Sequence, residues 1–310
     1  MPQQRRPRQS QSGTQCSNVQ AFSVREFFSR FPNDDVCLEH VMKVRYGLHG
    51  SCPKCGADAT YHRLANRKAF ACSRCGGHIY PCVGTIFQDS RTPLTVWFYA
   101  IYLFVVTRHG VSGKELQRQL GVTYKCAYRM GMQIRKLMAS IDADAFIALK
   151  GHVEIDEHAH GGRMPRSEGK PLENKTIIMG LKERGGHIVT QVIPDTTTQT
   201  LRKVVLETVQ PKTTISTDQH SGYFLLGQSA YQHGSVNHCM KEWARTDHET
   251  GIRHHVTHVE SFWCLFKYSV KSTHISISPK HIQTYLDEFT FRQNHRSERN
   301  RMFDRIIRAF

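Results

Sequence analysis

The chain has 310 residues, a formal charge of +16 and a pI near 9.6. That is length enough for two domains, and the cationic excess points to a polyanionic partner, most often nucleic acid. No apolar run approaches the ~18 residues of a membrane span. The best, Trp97 to Val106, reads as a buried helix. The first eight residues carry charge with no apolar stretch behind them, which argues against a secretory signal. Ten cysteines without an export signal suit a reducing cytoplasm.

Residues 1–20, rich in Gln, Arg, Ser and Pro, read as a disordered basic tail. Residues 21–48 read as a helical segment, interrupted by Pro32. Residues 49–90 hold Cys52-Pro-Lys-Cys55, then sixteen residues, then Cys72-Ser-Arg-Cys75. Two such knuckles predict one structural zinc ion, because Cys52, Cys55, Cys72 and Cys75 close a tetrahedral thiolate shell and leave no open position. Gly56 and Gly76 follow each pair, where the turn needs a permissive residue. Tyr61, His62, Arg63, Arg67 and Lys68 lie between the knuckles as a candidate DNA surface.

Residues 91–145 read as helical. An apolar helix over 93–109 precedes a helix capped by Ser112. A short Gly121-Val-Thr123 turn then leads into a longer helix from Tyr124 to Met138. Ala127, Met130, Ile134 and Leu137 line its inner side, and Lys125, Arg129, Arg135 and Lys136 lie elsewhere on it. This is a helix-turn-helix pattern, with Lys125 and Arg129 as candidate DNA contacts. An ordinary helical hairpin explains it about equally well.

From Gly151 the pattern changes to strands. His152 to Asp156 is a first strand, Thr176 to Leu181 a second and His187 to Ile193 a third. A helix from Gln199 to Val209 follows, then a fourth strand, Thr213 to Asp218. A helix begins near Thr257, and Ser278-Pro279 opens a last one running to about Asn294. Three strands, a helix, a strand and a late helix predict an RNase-H-like α/β domain over 150–296. Residues 297–310 read as a C-terminal tail.

Three acids stand at distinct positions. Asp156 ends the first strand, Asp218 ends the fourth, and Glu260 heads the late helix. In an RNase-H-like sheet they would converge and could hold two Mg²⁺ (or Mn²⁺) ions ~3.5–4 Å apart, for in-line attack on a phosphodiester. Glu154 and Glu157 are rivals for the role of Asp156. Thr257-x-x-Glu260 is also a capping box, in which the glutamate would only satisfy a backbone N–H. One carboxylate cannot serve both roles, and the two partner acids favour the metal. Lys267 and Lys271 share a helical face with Glu260, and so are candidate phosphate contacts.

These pieces resemble one family. The matching segments are the two Cys-x-x-Cys pairs, Gly84-Thr-Ile-Phe87, Leu116 to Thr123, Val153-Glu-Ile-Asp-Glu157 with Gly161-Gly162, and Thr217-Asp218 with Tyr223. They continue with His258-Val-Glu-Ser-Phe-Trp263 and Lys267, then Ser278-Pro-Lys-His281 and Tyr285 to Phe289. The chain is similar over about 23–296 to bacterial insertion-sequence transposases of the ISXO-like group, with a zinc-ribbon N-terminus and a DDE catalytic domain. The resemblance implies Asp156, Asp218 and Glu260 as the metal-binding catalytic triad and Lys267 as a basic residue near DNA phosphates. It implies binding to terminal inverted repeats and target DNA, cleavage and strand transfer, and no membrane association. It further implies a homo-oligomer on DNA, in the bacterial cytoplasm and on the nucleoid when bound. His158-Ala-His160 and His258 depart from its usual residues. The other readings of the same residues are a non-catalytic zinc-ribbon regulator and an RNase-H-like nuclease.

Overall fold

A computed structural model describes residues 22–161, 175–228 and 230–310. The expected basic tail, 1–20, and most of the polar loop after Gly161 lie outside these. Helices α1 (Val24–Arg30) and α2 (Asp34–Arg45) flank Pro32. Ser23 and Asn33 cap them by accepting the N–H groups of Glu26 and Val36. Strands β1 (His49–Ser51), β2 (Asp58–Arg63), β3 (Phe70–Cys72) and β4 (His78–Ile79) form an antiparallel sheet in that order.

Helix α3 (Leu94–Val106) is apolar nearly all round, as a buried helix must be. It starts after Pro93 with no capping side chain of its own. The Asp34 carboxylate, from α2, instead accepts the N–H groups of Leu94 at 3.0 Å and Thr95 at 2.9 Å. Helix α4 (Gly113–Leu120) ends on Gly121, whose φ of 63° no side-chain-bearing residue adopts readily. Helix α5 (Tyr124–Asp144), capped by Thr123, runs well beyond the expected Met138.

The second half is built on strands β5 (His152–His160), β6 (Thr176–Glu183) and β7 (Ile188–Ile193), helix α6 (Thr198–Thr208), and strands β8 (Thr214–Asp218) and β9 (Gln232–Val236). The sheet order is β7-β6-β5-β8-β9. β5, β6 and β7 pair antiparallel, whereas β8 and β9 run parallel to β5. This order and these directions make an RNase-H-like sheet. β9 escaped the sequence reading because Gln232-His-Gly-Ser-Val236 has one aliphatic residue, and its ladder to β8 alone makes it a strand. A hairpin of β10 (Arg245–Thr246) and β11 (Arg253–His254) leads into α7 (Thr257–Ser269). A turn at Pro279–His281 precedes α8 (Ile282–Asn294), and α9 (Arg299–Arg308) follows.

Strand alternation sorts the two faces. Val153, Ile155 and Ile215 pack with Leu201, Val204 and Val205 of α6 on one. On the other, Ile178 and Val236 pack with Val259, Phe262, Trp263 and Phe266 of α7 and with Leu286 and Phe289 of α8. Val259, Phe262, Trp263 and Phe266 recur at helical spacing, so they form the buried face of α7.

Residues 297–310, expected as a tail, contain α9 instead. Met302, Phe303, Ile306 and Ile307 recur at helical spacing and are buried in the N-terminal core with Phe27, Phe98 and Phe104. Arg135, read with the other cations of its helix, is also buried. Its Nε donates to Glu288 Oε2 of α8 at 2.7 Å and its Nη2 to the Val111 carbonyl at 2.9 Å. Arg292 Nη2 donates to Glu288 Oε1 at 2.9 Å. This ion triplet joins the helical region to the sheet domain.

Candidate active site and cysteine knuckles

The two knuckles are built alike. Gly56 N–H donates to the Cys52 carbonyl at 2.8 Å and Gly76 N–H to that of Cys72 at 3.0 Å. The glycines take φ values of 70° and 66°, as the turns require. The N–H groups of Lys54 and Arg74 lie 3.4 Å from the Sγ of Cys52 and Cys72. All four Sγ atoms lie within 4.8 Å of one another, those of Cys52 and Cys72 on the buried side. N–H donation holds the Cys52 thiol down to about 6, so a thiolate is favoured there. Cys82 lies apart, its thiol raised by burial. Tyr61 and Arg63 are not surface contacts. Tyr61 is buried and donates to the Ser51 carbonyl, and Arg63 is tied to Asp35. His62, Arg67 and Lys68 remain exposed.

Asp156 and Asp218 lie on neighbouring parallel strands. The ladder pairs Glu154 with Ser216, so two residues on both carboxylates leave the same face, under α7. Glu260, in the first turn of α7, closes the group. Burial first, then the charges of Asp218 and Glu260, push Asp156 up to about 7, against the pull of Lys267. Asp218 Oδ1 is buried with no hydrogen-bond partner. The three acids do not form a cluster with all ligand atoms within 4.8 Å of one another, as the cysteines do.

The rival acids are engaged elsewhere. Glu157 points to the opposite face and accepts a hydrogen bond from Tyr223 Oη. Burial, then Asp218 and Asp156, push it up to about 8. Glu154 is fully buried and bonded to the start of α7. The capping-box alternative for Glu260 fails, because α7 begins one residue earlier than the box needs. Its N-cap is Val256, and no side chain of its own caps it.

Lys267 and Lys271 are exposed beyond Glu260, and Lys125 and Arg129 are exposed on α5, with the Arg129 guanidinium 5.7 Å from the Trp97 ring. Sequence reasoning missed His238, whose Nδ1 lies 3.6 Å from Glu260 Oε1. It follows β9, so it had no place before that strand was recognised. The exposed Trp243 ring stands 5.1 Å from it. His158 and His160, the departures near Asp156, pack on Trp263 at 5.5 Å and Phe266 at 6.0 Å. Burial holds His158 down to about 4, so it packs as a neutral ring. A hollow of 1060 Å³ lies between α6 and residues 221–224, and none of the three acids lines it.

An RNase-H-like sheet with acids on two adjacent parallel strands and on the helix across them defines a nucleotidyl-transferase-type domain. Residues 148–294 match the family described as ISXO2-like transposase domain, and residues 32–78 match the transposase zinc-ribbon domain. The chain belongs to the insertion-sequence transposases of that group. It is 26% identical over 262 residues to an uncharacterized protein in transposable element ISH50 of Halobacterium salinarum, covering 78% of this chain and 84% of that one. Two solved structures of the Mos1 transposase are each 11% identical to it. The paired-end complex with left transposon end covers 67% of this chain and 77% of its own, with a TM-score of 0.25. The Strand Transfer Complex covers 67% and 75%, with a TM-score of 0.26. Backbone agreement at that level is too slight to bear on the fold.

Proposed function

We propose that this transposase binds the terminal inverted repeats of its element, cleaves DNA at their ends and joins the freed 3′-hydroxyl to target DNA. The observation that carries the proposal is Asp218 Oδ1, a buried carboxylate oxygen without a partner beside two further acids. A buried carboxylate oxygen with no donor leaves a polar group unsatisfied, and a cation would satisfy it. The donors are all hard oxygens, which suits Mg²⁺ or Mn²⁺. Asp156, Asp218 and Glu260 would hold two such ions, which when bound activate the attacking oxygen and offset charge on the leaving one.

The chain's own residues supply the rest. Lys267 and Lys271 hold backbone phosphates beside the acids, and Lys125 and Arg129 hold them on α5. Trp263, packed on the Gly180 backbone, fixes the tilt of the helix that presents Glu260. The four cysteines hold one zinc ion, which keeps the ribbon folded. The protein works on the nucleoid in the cytoplasm, as a homo-oligomer that brings two ends together. No described helix is long and apolar enough to cross a membrane.

The test is an end-cleavage and strand-transfer assay with Mg²⁺ or Mn²⁺. Joined products support the proposal, cleavage without joining makes the protein a nuclease, and metal-independent binding alone makes it a regulator. Asp218→Asn should abolish both reactions and spare DNA binding. Unchanged joining by that variant would remove the triad assignment.

A further inference from the structure

Helix α7 carries Glu260 in its first turn but brings no cap of its own. The N–H groups at a helix start need acceptors. Glu154 supplies one from β5. Its Oε2 accepts the N–H of His258 at 2.7 Å and that of Val259 at 3.3 Å. Its Oε1 accepts from Arg184 Nε and from His258 Nδ1, both at 2.7 Å. Arg184 also donates to the carbonyls of Arg253 at 2.8 Å and His255 at 3.1 Å, so the same node grips the segment that enters the helix.

Glu154, His255 and His258 place donor atoms within 4.8 Å of one another, an arrangement that could suit a metal ion. Two neighbours oppose a cation there. The Arg184 guanidinium already sits on the same carboxylate oxygen, and the helix N-terminus presents its own positive end. The node is a cap delivered from the sheet.

Glu154 lies two residues from Asp156 on one face of β5, and its bonds to α7 fall within one turn of Glu260. We infer that Glu154 is a positioning residue, which locks α7 to β5 so that Glu260 is held facing Asp156 across the metal site. The inference rests on the reading of Asp156 and Glu260 as metal ligands. It assigns one strand two tasks, supplying one ligand and placing another. Residues that orient ligands from behind govern metal affinity strongly.

The test uses the full chain with its ribbon zinc-loaded and without DNA. Mn²⁺ binding is followed by loss of the free-ion paramagnetic resonance signal, beside thermal melting. The variants are Glu154→Gln, Glu154→Ala and Asp34→Asn. Asp34 caps α3 from another element in the same manner, remote from the acids. Asp34→Asn should lower the melting midpoint and leave Mn²⁺ affinity unchanged. Glu154→Gln, measured where circular dichroism shows it folded, should weaken Mn²⁺ about tenfold, and Glu154→Ala further. Wild-type affinity in folded Glu154→Gln overturns the inference, as does an equal loss of affinity in Asp34→Asn. A wild-type chain that binds no Mn²⁺ overturns the metal reading itself, and the inference with it.

Discussion

Glu288→Gln is the sharpest test of how the two halves are joined. Glu288 is fully buried on α8, with Arg135 of α5 on one oxygen and Arg292 on the other. The substitution keeps the shape and removes the charge, so two guanidinium groups, 2% and 11% exposed, face each other uncompensated. Breaking a buried pair from one side costs about 3–5 kcal/mol. At roughly 2–4 °C per kcal/mol for a unit of this size, the melting midpoint should fall by on the order of 10 °C. The surface pair Arg118–Glu115 is a matched contrast, with side chains 73% and 36% exposed. Glu115→Gln should cost under ~1 kcal/mol.

The pH dependence follows in sign. Burial works against ionisation of Glu288, but Arg135, Arg292 and His274 outweigh it and hold the carboxyl below its ordinary value. A depressed carboxyl contributes stability that is present above the ordinary glutamate range and is lost as pH falls through the folded value. Thermal melting from neutral pH into acid should therefore show the gap between wild type and Glu288→Gln closing as pH falls. A midpoint within roughly 2 °C of wild type at neutral pH would refute the reasoning, because the triplet would then bear no net load.

Other expectations concern the ribbon, the DNA face and α7. A strong chelator, or Cys72→Ser, should release one zinc per chain and unfold the ribbon. Metal analysis with near-ultraviolet circular dichroism checks this, and a ribbon unchanged in Cys72→Ser would refute the four-thiolate site. Lys267→Ala and Lys271→Ala should each lower the slope of log affinity against log salt by about one. Titrations at several salt concentrations that leave the slope unaltered would remove these lysines from the DNA contact. At Gly180, an added Cβ would lie 2.5 Å from Trp263 Cζ2. Gly180→Ala should therefore lift α7 from the sheet, at about 1–3 kcal/mol by denaturant titration, and slow cleavage.

Much of the chain was legible because its signals are local. Cysteine spacing marks the knuckles, and glycine after each pair marks a positive-φ turn. The stripe Val259, Phe262, Trp263 and Phe266 marks the buried face of α7. Acids at the ends of the expected strands drew attention to Asp156 and Asp218, and one at the head of a helix to Glu260; β5 in fact runs on to His160 and places Asp156 at its middle. All of these depend on residues close in sequence, where backbone geometry alone sets which side chains share a face.

What tertiary structure decided depends on partners far apart in the chain. β9 is a strand because β8 offers it a ladder, and His238 reaches Glu260 only through that pairing. Residues 299–308 fold as a helix because α2 and α3 leave an apolar surface for Phe303 and Ile306 to cover. Arg135 is buried because Glu288 and Val111 receive its guanidinium, from positions 153 and 24 residues away. The acids divide for the same reason. Glu154, Asp156 and Glu157 are near neighbours in one strand, and sequence alone left Glu154 and Glu157 as rivals. Strand alternation turns Glu157 to Tyr223, and the uncapped end of α7 claims Glu154. Asp156 is left facing Asp218 and Glu260.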